Sequence, residues 1–98
     1  MKEAAIRKKA VEILGKQGWA VWWPPKVKWR AEGDIFGIGD MIVSGKQGIK
    51  LIQLTTLSNL SARRKKIKKV LETMELSCLI EIWAYDKKKK VFKTEKLN

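Results

Sequence analysis

The stretch GDIFGIGDMIVSGKQGIKLIQLTT, residues 33–56, decides how this chain folds. Two apolar, β-prone segments, Met41 to Val43 and Ile49 to Leu54, flank Gly45-Lys46-Gln47-Gly48. Such a pair around a glycine-bearing tetrapeptide reads as a β-hairpin. With Gly45 to Gly48 as the loop, Ser44 falls opposite Ile49 and Asp40 opposite Gln53. Opposed residues share a face, with Cβ atoms about 4.5–5.5 Å apart. Thr55, two residues beyond Gln53, points the same way. A register slipped by one would set Asp40 against Ile52 and scatter the polar groups over both faces. The expectation is therefore a cluster of Asp40, Gln53 and Thr55 at the open end of the hairpin. A carboxylate and an amide oxygen are hard-oxygen donors suited to Mg²⁺.

Upstream, residues 2–17 predict a helix. Ile6, Ala10, Ile13 and Leu14 follow the helical period, with Lys2, Arg7, Lys8, Lys9 and Lys16 on other faces. Gly18 ends it, residues 19–23 (WAVWW) predict a strand, and Pro24-Pro25 stops that strand. Residues 26–33 form a basic connection. Downstream, residues 60–74 predict a second helix with Leu60, Ile67, Val70, Leu71 and Met74 as its buried stripe. Ser58, Asn59 or Ser61 offers a cap at its start. Residues 78–85 predict a strand, Asp86 and the four lysines that follow a turn, and Val91-Phe92 the start of a last strand. The element order is α-β-β-β-α-β-β in an α/β domain, with no internal repeat or linker.

With 98 residues the chain fits one domain, residues 1–98. A core that small is marginal, which favours a homodimer. Twenty-two Lys and Arg against 10 acids give a net charge of +12. That balance favours an anionic partner, foremost nucleic acid. Lysine enrichment also occurs in proteins of thermophiles. Arg63, Arg64, Lys65, Lys66, Lys68 and Lys69 put six cations in seven positions of the second helix. A basic helix face is usually solvated, but beside a candidate metal site it points to phosphate contact. The four lysines 87–90 read as a solvated turn. Trp19 and Trp23 share one face of their strand and Trp22 takes the other. Burial is the default for these rings, with a dimer interface or base stacking as other uses.

Histidine is absent and Cys78 is the single cysteine. No intrachain disulfide, zinc ligand set, Ser-His-Asp triad or Cys-His pair can form. Gly37 and Gly39 do not make a dinucleotide-binding fingerprint, and Gly45-Lys46 is not a phosphate loop. The charged N-terminus argues against a signal peptide. No apolar run approaches the ~20 residues of a membrane helix. The expectation is a cytoplasmic protein without membrane contact.

Together, DIFGIGDMIV, then LIQLTTLSNLSARRKKI, then EIWAYD resemble the PD-(D/E)XK nuclease superfamily. The closest likeness is to small phage-type and Holliday-junction-resolvase-like members. It is strongest over residues 33–86 and extends to the whole chain in element order. The resemblance implies a restriction-endonuclease-like core, a mixed sheet flanked by helices. It implies Mg²⁺-dependent cleavage of DNA, with Mn²⁺ as a substitute, on branched recombination substrates and by a homodimer. Asp40 matches the metal-binding aspartate. Gln53 stands where the third strand usually carries an acid, and Leu54 would lend its backbone carbonyl to the metal. Thr55 stands where a lysine is usual, so a cation must come from elsewhere, with Lys66 and Arg63 as candidates. Lys50 is disfavoured because it points to the other face. Asp34 is a further candidate for the site, or only a turn cap. Related proteins carry a glutamate on the first helix; Glu3 and Glu12 are candidates, although Arg7 stands nearest that position. DNA contacts are expected from Arg63, Arg64, Lys65, Lys66, Lys69 and Arg30. The departure at Thr55 also allows a non-catalytic DNA-binding module on the same fold.

Overall fold

The computed structural model describes residues 3–23, 39–73 and 78–97. Its elements are α1 (Glu3–Lys16), β1 (Ala20–Trp22), β2 (Met41–Gly45), β3 (Gly48–Thr56), a 3₁₀ turn (Leu57–Asn59), α2 (Leu60–Leu71), β4 (Leu79–Asp86) and β5 (Val91–Lys96). The order expected from the sequence is the order observed. Expectations for Asp34, Arg30 and Met74 lie outside the described residues.

All five strands form one mixed sheet in the order β1-β2-β3-β4-β5. β3 and β4 run parallel and the other pairs are antiparallel. Parallel neighbours need a crossover, and α2 supplies it. The hairpin has the expected register, with Ser44 opposite Ile49 and Met41 opposite Ile52. Its loop is shorter than expected. Gly45 and Gly48 pair in the ladder, leaving Lys46-Gln47 as a two-residue turn. Gly48 sits at φ 107°, a conformation open to glycine, so the ladder can continue to the tip.

A helix covers each face. On one side Ile6, Ala10 and Leu14 of α1 pack on Met41, Val43, Ile52, Leu54, Trp83 and Tyr85. On the other, Leu60 and Ile67 of α2 pack on Leu51, Ile80, Ile82 and Ala84. Successive strand residues feed opposite cores, which is why β3 is buried at Leu51, Ile52, Gln53 and Leu54 alike. Gly18, at φ 89°, ends α1 as a left-handed terminator. Ile13, expected in the stripe, is 38% exposed, since Leu14 and Ala10 already fill that face.

α2 begins without the expected side-chain cap. Asn59 makes no capping hydrogen bond, and Ser58 Oγ pairs with Thr56 Oγ1 at 3.0 Å. The 3₁₀ turn runs straight into the helix, and Leu57 O accepts the Leu60 N–H. That turn already engages an N–H that a cap region would leave open. β5 is longer than Val91-Phe92 suggested, because its later residues are mostly exposed on an edge strand.

The α1 face carries a buried ion pair. Lys50 Nζ lies 3.1 Å from both Glu81 oxygens, and Trp83 Nε1 donates to Glu81 Oε1 at 3.0 Å. The Lys50 ammonium also sits 4.4 Å from the Trp19 ring centroid. Removing one partner strands the other charge in a site about nine-tenths closed to water. Lys50→Met is therefore expected to cost about 3 kcal/mol. Lys50→Met/Glu81→Leu is expected to recover most of that loss. Urea unfolding of the three proteins measures both effects.

Candidate functional site

β2 and β3 part company just beyond Met41, and Asp40 fills the gap. Its N–H still donates to Ile52 O at 2.8 Å, as a last rung of the ladder. Its side chain turns to β3. Asp40 Oδ2 accepts from Gln53 Nε2 at 2.7 Å and from the Leu54 N–H at 2.7 Å. Gln53 Nε2 also donates to Leu54 O at 3.1 Å. Asp40 and Gln53 thus meet as the register predicted, with Leu54 between them and the solvent end of β2.

The amide is turned opposite to the sequence expectation. Gln53 was expected to offer its oxygen to a metal, and instead presents nitrogen to Asp40. An ionised carboxylate only accepts hydrogen bonds, so a donor must face it. The result is informative about charge. Asp40 Oδ2 and Leu54 O converge on one point, and a partially positive NH₂ group holds that point. Two converging hard oxygens fit a divalent cation, with Gln53 Oε1 as a third donor once the amide rotates by half a turn. The set contributes a single negative charge. Among the described residues, no group of three or more His, Cys, Asp or Glu gathers to hold a metal.

Gln53 is 96% buried and Thr55, two residues on, is half-buried on the same face. That face is the one α2 covers, since Leu51 in the same alternation packs in the α2 core. Lys50 lies on the α1 face with Glu81, as its parity predicted. Glu12 is exposed on α1, on the far side of the sheet from Asp40, so the structure does not bring it to the notch. The Glu3 side chain lies outside the described part of the structure.

The cations of α2 divide into two flanks. Arg64 is bound in a two-pronged pair to Glu95 of β5, with Nη2 2.8 Å from Oε2. The sequence expects this residue to contact DNA; in the fold it pairs with Glu95 and keeps about a third of its side chain exposed. Lys68, one turn on, acts on the same Glu95 carboxylate. Residues three and four apart share a helix flank. Arg63 and Lys66 therefore lie on the flank away from β5, toward β3 and β2. Lys65 and Lys69 are exposed on the outer surface.

The Arg64 hydrogen bond holds the Glu95 carboxyl below its usual range, with smaller charge effects from Arg64, Lys93 and Lys68. The same pairing raises Arg64. A depressed folded value means the pair's contribution is present above the ordinary carboxylate range. It is lost as pH falls through the depressed Glu95 value. A carboxyl NMR titration is expected to show Glu95 below the ordinary glutamate range, and back within it in Arg64→Ala.

A pocket of about 440 Å³ lies on the α1 face, walled by Ile13, Trp83 and Phe92 over Lys50 and Glu81. Lys90 also lines it, and it lies on the side of the sheet away from Asp40. The sequence matches no protein-family model and no curated protein. Among the described residues, no helix is long and apolar enough to cross a membrane.

Proposed function

We propose that this domain is a divalent-metal-dependent DNA endonuclease built on a restriction-endonuclease-like core, acting on branched DNA as a homodimer in the manner of Holliday junction resolvases. The observation that carries the reading is the convergence of Asp40 Oδ2 and Leu54 O on one point. Gln53 lies on the sheet face that α2 covers, and α2 carries six cations in seven positions. A carboxylate among neutral oxygens, in a strongly basic domain, suits a divalent cation that bridges to a phosphate.

Asp40, the Leu54 carbonyl and the Gln53 amide oxygen would hold Mg²⁺ or Mn²⁺. When bound, such an ion lowers the pKa of a water and draws charge from a phosphoryl oxygen. The chain's own groups do the rest. Asp40 supplies the negative charge that orients the cluster. Gln53 lies between two roles: with its nitrogen inward it satisfies Asp40, and with its oxygen inward it becomes a donor to a cation. Thr55 carries a hydroxyl, which can hydrogen-bond but cannot stabilise phosphate charge as a lysine would. Lys66, with Arg63 beside it, supplies that positive charge from α2.

A second reading has its own support. The Gln53 amide already satisfies both oxygens, and Thr55 brings no charge to the sheet. These two features favour a non-catalytic DNA-binding module on the same fold. Labelled four-way junction, flap and linear duplex, each with Mg²⁺, Mn²⁺ or EDTA, separate the two. Cleavage of the junction or flap that EDTA stops supports the nuclease. Tight binding with no cleavage under either metal supports the module.

A further inference from the structure

Four of the tryptophans lie among the described residues, and three of them are engaged on the α1 face. Trp19 receives the Lys50 ammonium at 4.4 Å. Trp23 receives the Arg7 guanidinium at 5.3 Å. Trp83 is 5% exposed, donates to Glu81 and packs on Phe92 with ring centroids 5.4 Å apart. Trp22 differs. It pairs with Ile42 across β1 and β2, and Ile42 packs toward the α2 core. Its ring therefore stands on the opposite face from the other three, 55% exposed, with no ring or cation contact among the described residues.

That face is the one that carries Asp40 and Gln53. α2 packs over β3 and β4 and ties itself to β5 through Arg64, so α2 itself does not extend over β1 and β2. Ser44 and Ala20 on that strip are exposed and Ile42 is half-buried. Asp40 is two residues from Ile42, the partner of Trp22, so Trp22 and Asp40 lie at the same end of the sheet. Two residues of chain and one strand spacing keep the two within about 8–12 Å, one to two nucleotide steps along an extended strand.

We infer that Trp22 is a stacking platform for an unpaired base, placed one to two nucleotides from the phosphate that the Asp40–Gln53 notch receives. The occupant is single-stranded nucleic acid or the unpaired end of a branch. Charge complementarity supports it, because α2, with six cations in seven positions, lies on the same face of the sheet as Trp22. A large exposed ring beside a phosphate site suits a base whose face is free, whereas a continuous duplex offers only stacked interiors. The inference rests on the proposed function for its phosphate site, and names the substrate class of that site.

The test is binding in EDTA, so it does not depend on cleavage. Probes are a poly-dT single strand, a flap and a fully paired blunt duplex, at one fixed salt concentration. Trp22→Ala is expected to weaken single-strand and flap binding about 5- to 100-fold, the range for loss of one stacked base. Duplex binding is expected to stay within about two-fold, since phosphate contacts dominate it. Trp22→Phe keeps a stacking ring and is expected to restore most of the lost affinity, which excludes misfolding as the cause. Equal losses on all three probes, or no loss on any, overturn the inference. Should the wild type never cut while Trp22→Ala loses only single-strand affinity, the platform stands and the nuclease reading fails. Should the wild type cut while Trp22→Ala binds all probes normally, the nuclease reading stands and the platform fails.

Discussion

Asp40→Ala is expected to abolish cleavage while leaving affinity for branched DNA nearly intact. The substitution removes the carboxylate on which Gln53 Nε2 and the Leu54 N–H converge. Without it the notch keeps only neutral oxygens, too weak to hold a hard divalent cation against water. Loss of metal-assisted chemistry leaves only what positioning and cations supply, so the rate falls by at least about 10³-fold. Binding responds differently, because one acid among a net +12 opposes a polyanion slightly if at all. Fold loss is controlled by thermal unfolding, since a buried Leu54 N–H loses its acceptor and about 1–3 kcal/mol is at stake. Single-turnover cleavage and an equilibrium binding titration on the same junction check both halves. Equal losses in rate and affinity would assign Asp40 to DNA binding or folding.

The second large effect concerns α2. Wild-type affinity for DNA is expected to fall steeply with salt, with a log–log slope of about −4 to −5 if roughly five phosphates are neutralised. Arg63, Lys65, Lys66 and Lys69 are the cations the fold leaves available for this. Replacing all four with Ala is expected to flatten the slope by about 3–4 units. Near physiological salt that corresponds to about a 10³-fold loss of affinity. Arg64→Ala is expected to act otherwise. Its guanidinium is held by Glu95, so its loss changes the docking of α2 on β5 more than the slope. Salt titrations of the quadruple variant and of Arg64→Ala distinguish the two groups. An unchanged slope in the quadruple variant would move the DNA surface elsewhere, with Lys87 to Lys90 as the next candidate.

The features legible in the sequence were those set by period and by turns. Alternation over two short segments and a glycine-bearing turn fixed which residue of β2 faces which residue of β3. The meeting of Asp40 and Gln53 followed from that. Helix stripes were legible at Leu60, Ile67, Ile6, Ala10 and Leu14 for the same reason. The 3₁₀ turn was not, since three residues make no apolar period. β5 was underread because Lys93 to Lys96 on an edge strand look like a solvated tail.

Contacts between distant residues were the main omission. Arg64 and Glu95 are 31 positions apart, as are Lys50 and Glu81. No local pattern links either pair, so Arg64 looked like a DNA contact and Glu81 like an ordinary strand residue. The orientation of Gln53 was missed for a chemical reason. Residue type shows that an amide is present; only the position of Asp40 Oδ2 determines which end of it turns inward. Trp22 had a signal that parity alone could supply, because it faces away from Trp19 and Trp23. Its nearness to Asp40 needed the pairing of β1 with β2.

Direct measurement of metal binding tests the central claim that the Asp40–Gln53–Leu54 notch is a cation site. Mn²⁺ titration followed by electron paramagnetic resonance reads bound metal without any need for cleavage. Wild type is expected to bind Mn²⁺ weakly alone and more tightly with junction DNA, whose phosphate adds negative charge to the set. Gln53→Glu restores a second carboxylate at nearly the same volume and is expected to tighten binding in both conditions. Gln53→Leu is expected to weaken it, and Asp40→Ala to abolish it. Mn²⁺ binding that is absent with DNA present, or identical in wild type, Gln53→Glu and Asp40→Ala, would contradict the account.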